Sequence, residues 1–399
     1  MVTRNGRGGV RPCQRGAPCV IPKNGYWFSD KITHKRNKRK TGLVERYMTL
    51  RWTDWPADVR ATLRRGAVIP AHPLALDANR KLDARRQRAL SRYYLDAGAG
   101  GLAVGVHTTQ FAIREAGLYR AVLELAMRTA TEWAKRPPVM IAGLSGRTIQ
   151  AVGEAQVARS LGYHAGLLSL AAMKGAAEDE LIAHATSVAR EIPLVGFYLQ
   201  PAVGGIVLPV SFWRRFARIE NVVAIKIAPF NRYHTLDVIR GVVEAGAAER
   251  ITLYTGNDDH IVLDLVTPFV VTHAGRQTTV RIKGGLLGHW SVWVKTAVEL
   301  LARVHAISGD SVPADLLALD SQVTDCNAAI FDVANDFHGV ICGCHEILRR
   351  QGLLEGIWCL DPHESLGPGQ AAEIDRVCAA YPHLADDDFV RANLARWLE

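Results

Sequence analysis

The chain has 399 residues, 48% of them hydrophobic and 22% charged, the balance of a globular enzyme rather than of a disordered chain. No apolar run approaches the roughly 18 residues that a membrane-spanning helix needs, which excludes an integral membrane protein of that kind. The net charge of +9 suggests a nucleic-acid partner only until its distribution is read: residues 1–47 hold 12 Lys and Arg against Asp30 and Glu45, and the remainder holds 36 basic and 37 acidic residues.

The body therefore has no electrostatic footprint for a phosphate backbone, and nucleic acid is not expected as its partner. The tail, residues 1–47, contains the run Lys35-Arg36-Asn37-Lys38-Arg39-Lys40 and shows neither helical nor strand period, so disorder is expected there. It reads as a nucleic-acid arm, a targeting segment or a membrane-surface patch, or else as the product of a start codon assigned too early, with Met48 beginning the working protein. Seven cysteines are scattered, Cys13 and Cys19 in the tail, and none forms a paired zinc pattern. Reduced thiols in a cytoplasmic protein are the default. Cys342-Gly-Cys344-His345 has no second ligand pair and is read as helix surface or core, so no metal site is expected.

From Gly66 onward, short apolar runs alternate with longer helical stretches. The strand candidates are 67–72, 101–105, 138–142, 166–170, 194–199, 222–227, 251–255 and 279–283. Their starts lie 28 to 37 residues apart, the length of a strand, a helix and two loops. The stretches between carry helical spacing, as in Leu181, Ala185 and Val188 at i, i+4 and i+7. The runs are continuously apolar, as strands covered on both faces should be. Eight such units predict an α/β fold, a closed (β/α)₈ TIM barrel over residues 60–290. An open doubly wound sheet would need a glycine-rich turn after its first strand, where Pro70-Ala-His-Pro stands instead. Helical stretches around 292–306, 312–334, 338–351 and 370–380 predict a C-terminal helical extension over 291–399.

Barrel chemistry belongs at the carboxyl ends of the strands. Lys226 sits near the end of the sixth run, flanked by apolar residues. An apolar setting lowers an amine's pKa and gives a neutral nucleophile suited to Schiff-base formation; a surface-reaching lysine or a buried ion pair is the competing reading. Tyr198 ends the fifth run, where its phenol could shuttle protons near Lys226 or serve as a rim aromatic. Gly105-Val106-His107-Thr108-Thr109, after the second run, could present donors to a carboxylate or be ordinary turn chemistry. Gly143-Leu-Ser145-Gly146-Arg147-Thr148 reads better as a helix cap than as an anion cradle, and the carboxylates of Gly256-Asn257-Asp258-Asp259 as caps rather than acid–base groups. Arg232 could meet a substrate carboxylate or be a solvated loop residue.

In order and spacing these positions resemble the dihydrodipicolinate synthase / N-acetylneuraminate lyase family of class I pyruvate-type aldolases, over roughly residues 60–385. The anchors are Val68-Ile-Pro-Ala71, Gly105-Val-His-Thr-Thr109, Ile141-Ala-Gly143, Tyr198-Leu-Gln-Pro201, Ala224-Ile-Lys226 and Gly256-Asn-Asp-Asp259. The resemblance implies that Lys226 is the Schiff-base lysine, that Tyr198 relays protons, and that His107, Thr108 and Thr109 seat the carboxylate of a 2-oxo acid. It further implies a lyase, either aldolase or dehydratase, acting on pyruvate or a keto-deoxy sugar acid. No cofactor is implied, and the assembly is a homotetramer or dimer. Without gaps, Val106 and His107 stand where the family has its hydroxyl pair; a shift of one or two residues restores Thr108 and Thr109. No tyrosine follows strand four and no arginine follows Tyr198, so dihydrodipicolinate synthesis itself is not expected. The alternative is a barrel that binds an oxo acid or sugar acid as a sensor, without turnover.

Overall fold

The computed structural model describes residues 49–308 and 311–399. The basic tail lies outside the described residues, together with Cys13, Cys19 and every reading attached to them. Ten strands follow in chain order: β1 Val68–Pro70, β2 Gly101–Val104, β3 Val139–Leu144, β4 Ala165–Leu168, β5 Leu194–Leu199, β6 Val222–Ala228, β7 Thr252–Thr255, β8 Phe269–His273, β9 Arg276–Val280 and β10 Ile282–Leu287. Eight form one parallel sheet in the order β1-β10-β7-β6-β5-β4-β3-β2. Its two ends meet: the His72 amide donates to the Ala103 carbonyl at 2.8 Å and the Gly100 amide to the Val68 carbonyl at 3.0 Å. Eight parallel strands alternating with helices and closing in this way make the predicted (β/α)₈ barrel.

The eighth barrel strand differs from its prediction. The run at 279–283 straddles two elements: Thr279 and Val280 end β9, while the barrel strand is β10. β8 and β9 form an antiparallel hairpin outside the barrel, turning through Ala274 and Gly275, both at positive φ. Both central residues at positive φ make the kind of tight turn that matches strand twist.

Alternation sorts each strand into two faces. Ile69, Ala103, Ile141, Leu167, Val195 and Phe197 fill the barrel interior, whereas Val68, Leu102, Met140, Leu168, Leu194 and Tyr198 pack outward under the helices. β6 departs from strict alternation. Leu194 pairs with Val222 but Val195 pairs with Ala224, so Val223 is an extra residue. Val223 and Ala224 both join the interior cluster, Ile225 turns outward, and Lys226 follows on the interior side. Such a bulge re-aims every residue beyond it. The helix Ala57–Arg65 plugs the amino-terminal mouth, with Trp55, Val59 and Leu63 in the interior cluster and the Tyr254 hydroxyl donating to the Leu63 carbonyl at 2.8 Å. Access to the interior is thereby left to the carboxyl end.

Beyond β10, helices run at Val294–His305, Ala314–Ile330, Val340–Arg350, Gln370–Ala380 and Asp387–Trp397. The last docks on the barrel helix Ala84–Ala97: Trp397 is fully buried against Tyr93, and its indole N–H donates to Asp96 at 2.6 Å. Cys342, Cys344 and His345 are buried in the helix Val340–Arg350. Among the described residues no helix is long and apolar enough to cross a membrane.

Candidate active site

A cavity opens at the carboxyl ends of the strands, and Lys226 projects into it from β6. The lysine is 7% exposed. Its Nζ lies 4.6 Å from the centroid of the Phe197 ring, and it makes no ion pair within 4.0 Å among the described residues. Gly256, on the next strand end, leaves room for it: a Cβ there would stand 2.6 Å from the lysine Cε. Burial pulls the ammonium pKa down to about 8, against a smaller upward pull from the Asp258 carboxylate. Burial penalises the charged form, so an amine here sheds its proton far more readily than a surface lysine.

Tyr198 does not join Lys226. In the β5–β6 register Phe197 lies across from Lys226, and Tyr198 across from Ile227. Paired residues on neighbouring parallel strands share a face, so Tyr198 points away from the cavity. Its ring packs against Trp213 and His234, with centroids 5.3 and 5.7 Å away, and its hydroxyl accepts a hydrogen bond from the Leu208 amide at 3.1 Å. The proton relay expected of Tyr198 is therefore corrected: the aromatic facing the lysine is Phe197, which carries no hydroxyl.

The strand-two turn divides. His107 and Thr108 line the cavity; Thr109 does not. The Thr109 hydroxyl accepts from the Gly105 and Val106 amides at 2.9 and 3.2 Å and donates to the His72 carbonyl at 2.6 Å, which holds the turn together. The Thr108 hydroxyl donates to the Ala71 carbonyl at 2.7 Å. Residues 107–109 form a single 3₁₀ turn whose first amides have no acceptor within it. Burial, with the neighbouring Lys226 charge adding to it, lowers the His107 pKa to about 4 and keeps its imidazole neutral near neutral pH.

Asp258 supplies the ionisable partner. It lines the same cavity, is 4% exposed, and accepts a hydrogen bond from the His289 amide at 2.8 Å rather than capping the helix Ile261–Val266. Burial raises its pKa to about 7, with Lys226 and the His289 amide pulling the other way. The cavity thus holds an amine and a carboxyl that both exchange protons near neutral pH.

Residues 65–268, half of the chain, match the Dihydrodipicolinate synthetase family. The chain belongs to that family. Membership supports an aldolase-type lyase in general. No curated protein matches the sequence. Similar solved structures include a chloride-inhibited dihydrodipicolinate synthase from Acinetobacter baumannii complexed with pyruvate, at 17% identity and a TM-score of 0.65 over 79% of this chain and 98% of that one. Another is N-acetylneuraminate lyase from Fusobacterium nucleatum, at 16% identity and a TM-score of 0.63 over 79% and 99%. A third is YagE, a prophage protein of the dihydrodipicolinic acid synthase family from E. coli K12 in complex with pyruvate, at 18% identity and a TM-score of 0.64 over 80% and 98%. At such identities the likeness is one of fold.

Within this family barrel the other charged candidates serve structure. Arg232 pairs with Asp264 at 2.9 Å and Asp259 at 3.5 Å and does not line the cavity. The turn at 143–148 is tied by the Ser145 amide donating to Glu154 at 3.0 Å and by Thr148 bonding His184 at 2.9 Å. Sequence reasoning passed over the far wall altogether. Phe230, Phe331, Phe337 and Val340 complete the cavity, three of them from the segment after the barrel.

Proposed function

We propose that this protein is a Schiff-base-forming lyase that acts on a 2-oxo acid such as pyruvate through an imine at Lys226. One observation carries the reading: a lysine with no ion pair within 4.0 Å among the described residues, buried in the cavity at the carboxyl end of the barrel, with its pKa drawn down to about 8. The neutral Nζ attacks the keto carbon, the keto oxygen leaves as water, and a protonated imine forms. Loss of a proton from C3 gives an enamine. Its C3 bonds to an aldehyde carbon while the aldehyde oxygen takes up a proton. Water then hydrolyses the imine and frees the lysine and a 4-hydroxy-2-oxo acid; cleavage is the reverse. We assign to the acid's carboxylate His107 and Thr108, which line the cavity next to the opening amides of their turn. With Tyr198 turned away, Asp258 is the group we assign to move protons at the reacting carbons, since its pKa near 7 makes both its forms available.

The test is borohydride reduction in the presence of pyruvate, followed by peptide mass spectrometry. A pyruvyl adduct on Lys226, absent in Lys226→Ala, is the expected result. No adduct with pyruvate or with longer 2-oxo acids in a folded protein would refute the reading. The absence of a hydroxyl from Phe197 favours one alternative, a sensor that forms the imine without turnover; release of product in steady state distinguishes the two. A homodimer or homotetramer is the proposed assembly, to be measured by sedimentation velocity.

A further inference from the structure

Around the reacting lysine the wall is sharply divided. Lys226 and Asp258 are the charged side chains among the described residues that line the cavity, and no arginine is among them. His107 is neutral near neutral pH, and the Thr108 hydroxyl already donates to a backbone carbonyl. The opposite side is mostly apolar, with Leu199, Val203, Phe230, Phe331, Phe337 and Val340 around the single uncharged amide of Gln200.

This apolar side is a built surface. The Phe230 and Phe337 rings meet edge to face at 5.9 Å, and both residues hold positive φ, 51° and 66°. Non-glycine residues in that conformation persist only where the surroundings enforce it. The enforcing contacts are visible. Asp332 accepts from the Gly339 amide at 3.0 Å, and the Gln370 side-chain amide donates to the Ile330 and Gly339 carbonyls at 3.0 and 3.1 Å, closing the turn that bears Phe331 and Phe337. Phe331 also lies directly over Gly288, where a Cβ would come within 2.7 Å of its ring.

We infer that the aldehyde condensed with, or released from, the 2-oxo acid carries an uncharged apolar substituent, aryl or branched alkyl. The inference deepens the Lys226 reading and rests on it. A carboxylated aldehyde would meet no cation beyond the lysine consumed in the imine and would face the Asp258 carboxylate. A polyhydroxylated chain would bury several hydroxyls against phenylalanine rings, where the Gln200 amide is the one uncharged side-chain amide on that wall, and hydroxyls left without partners are penalised strongly. An aryl group finds aromatic edges and faces at contact distance.

The experiment compares kcat/KM for the full chain with pyruvate and each of three aldehydes: benzaldehyde, succinic semialdehyde and glyceraldehyde. Benzaldehyde should exceed the other two by roughly tenfold or more, the scale on which apolar pockets discriminate. Phe337→Arg places a guanidinium in the half-buried roof and should move the succinic semialdehyde to benzaldehyde ratio upward by at least about tenfold. Equal or better use of succinic semialdehyde or glyceraldehyde by the unaltered protein, with the Lys226 adduct still trapped by borohydride, would overturn this inference and leave the lysine's role standing. Failure to trap any 2-oxo acid on Lys226 would overturn both.

Discussion

Asp258→Asn separates the two roles that the cavity combines. The substitution keeps the shape of the side chain and its acceptor for the His289 amide, but removes the charge that holds the Lys226 pKa up. Burial then acts unopposed. If the lysine falls by about one unit from about 8, a modest share of what a nearby charge commonly contributes, its neutral fraction at pH 7 rises from about a tenth to about a half. Imine formation at pH 7 should therefore speed up by roughly fivefold, with its rise against pH displaced toward acid. Turnover should fall by about a hundredfold or more, the usual cost of losing an acid–base group. Rapid mixing with pyruvate and borohydride quench, across pH 5.5 to 9.5, reads the first quantity; steady-state aldol formation reads the second. Slower imine formation with its rise moved toward alkaline pH would refute the assigned electrostatics, and unchanged turnover would refute the acid–base role.

Tyr198→Phe should leave turnover within about threefold of the parent, because its hydroxyl faces the helices. It should lower stability by about 1–3 kcal/mol in urea unfolding, since the Leu208 amide loses its buried acceptor; a hundredfold loss of activity would restore the relay. Gly256→Ala sets a methyl against the Lys226 Cε and should slow borohydride-trapped imine formation at least about tenfold while circular dichroism stays unchanged. Burial holds His345 near pKa 4, with the Ile357 carbonyl partly offsetting it. Its folded pKa lies below the unfolded value, so the unfolded chain binds the extra proton between about pH 6.5 and 4, and stability is complete above that window and falls within it. His345→Leu should therefore lessen the loss of stability between pH 7.5 and pH 5 by about 2 kcal/mol; an unchanged pH dependence would count against a neutral buried imidazole.

Strand count, spacing and closure were legible in the sequence because each parallel strand is covered on both faces and reads as an unbroken apolar run. The same property erased the information that mattered most at the site. A run such as Gly196-Phe197-Tyr198-Leu199 gives no sign of which residue faces inward, and matching Tyr198 by its distance to Pro201 chose the wrong face. The extra residue Val223 decides the matter for the lysine. Had the same residues paired regularly, without the bulge, Lys226 would lie across from Tyr198 on the outer face with Val222, and the two motif residues would have lain together, away from the cavity. Lys226 itself stood out because a cation inside an apolar run is costly unless it has a use. Asp258 looked like a helix cap because the residue that engages it, His289, comes 31 positions later. The aromatic roof arrives from about 100 residues past Phe230, joined to it by no local pattern. The eighth strand was displaced because β9 and β10 are both β-rich and separated only by Arg281.

The docking of the helix Asp387–Trp397 onto Ala84–Ala97 bears on how the protein is made. Asp386 receives the Tyr93 hydroxyl at 2.7 Å, and Trp397 reaches Asp96 across 301 positions of sequence. Ribosomes add about 5–20 residues per second, so this early helix waits roughly 15–60 s for the segment that covers Tyr93. Once β10 ends at Leu287, 110 residues remain to Trp397, so for roughly 5–20 s of that interval a barrel long enough to close leaves the aromatic face of Tyr93 without its cover. The helix Asp387–Trp397, far from the chemistry, thus sets when the aromatic face of Tyr93 is covered.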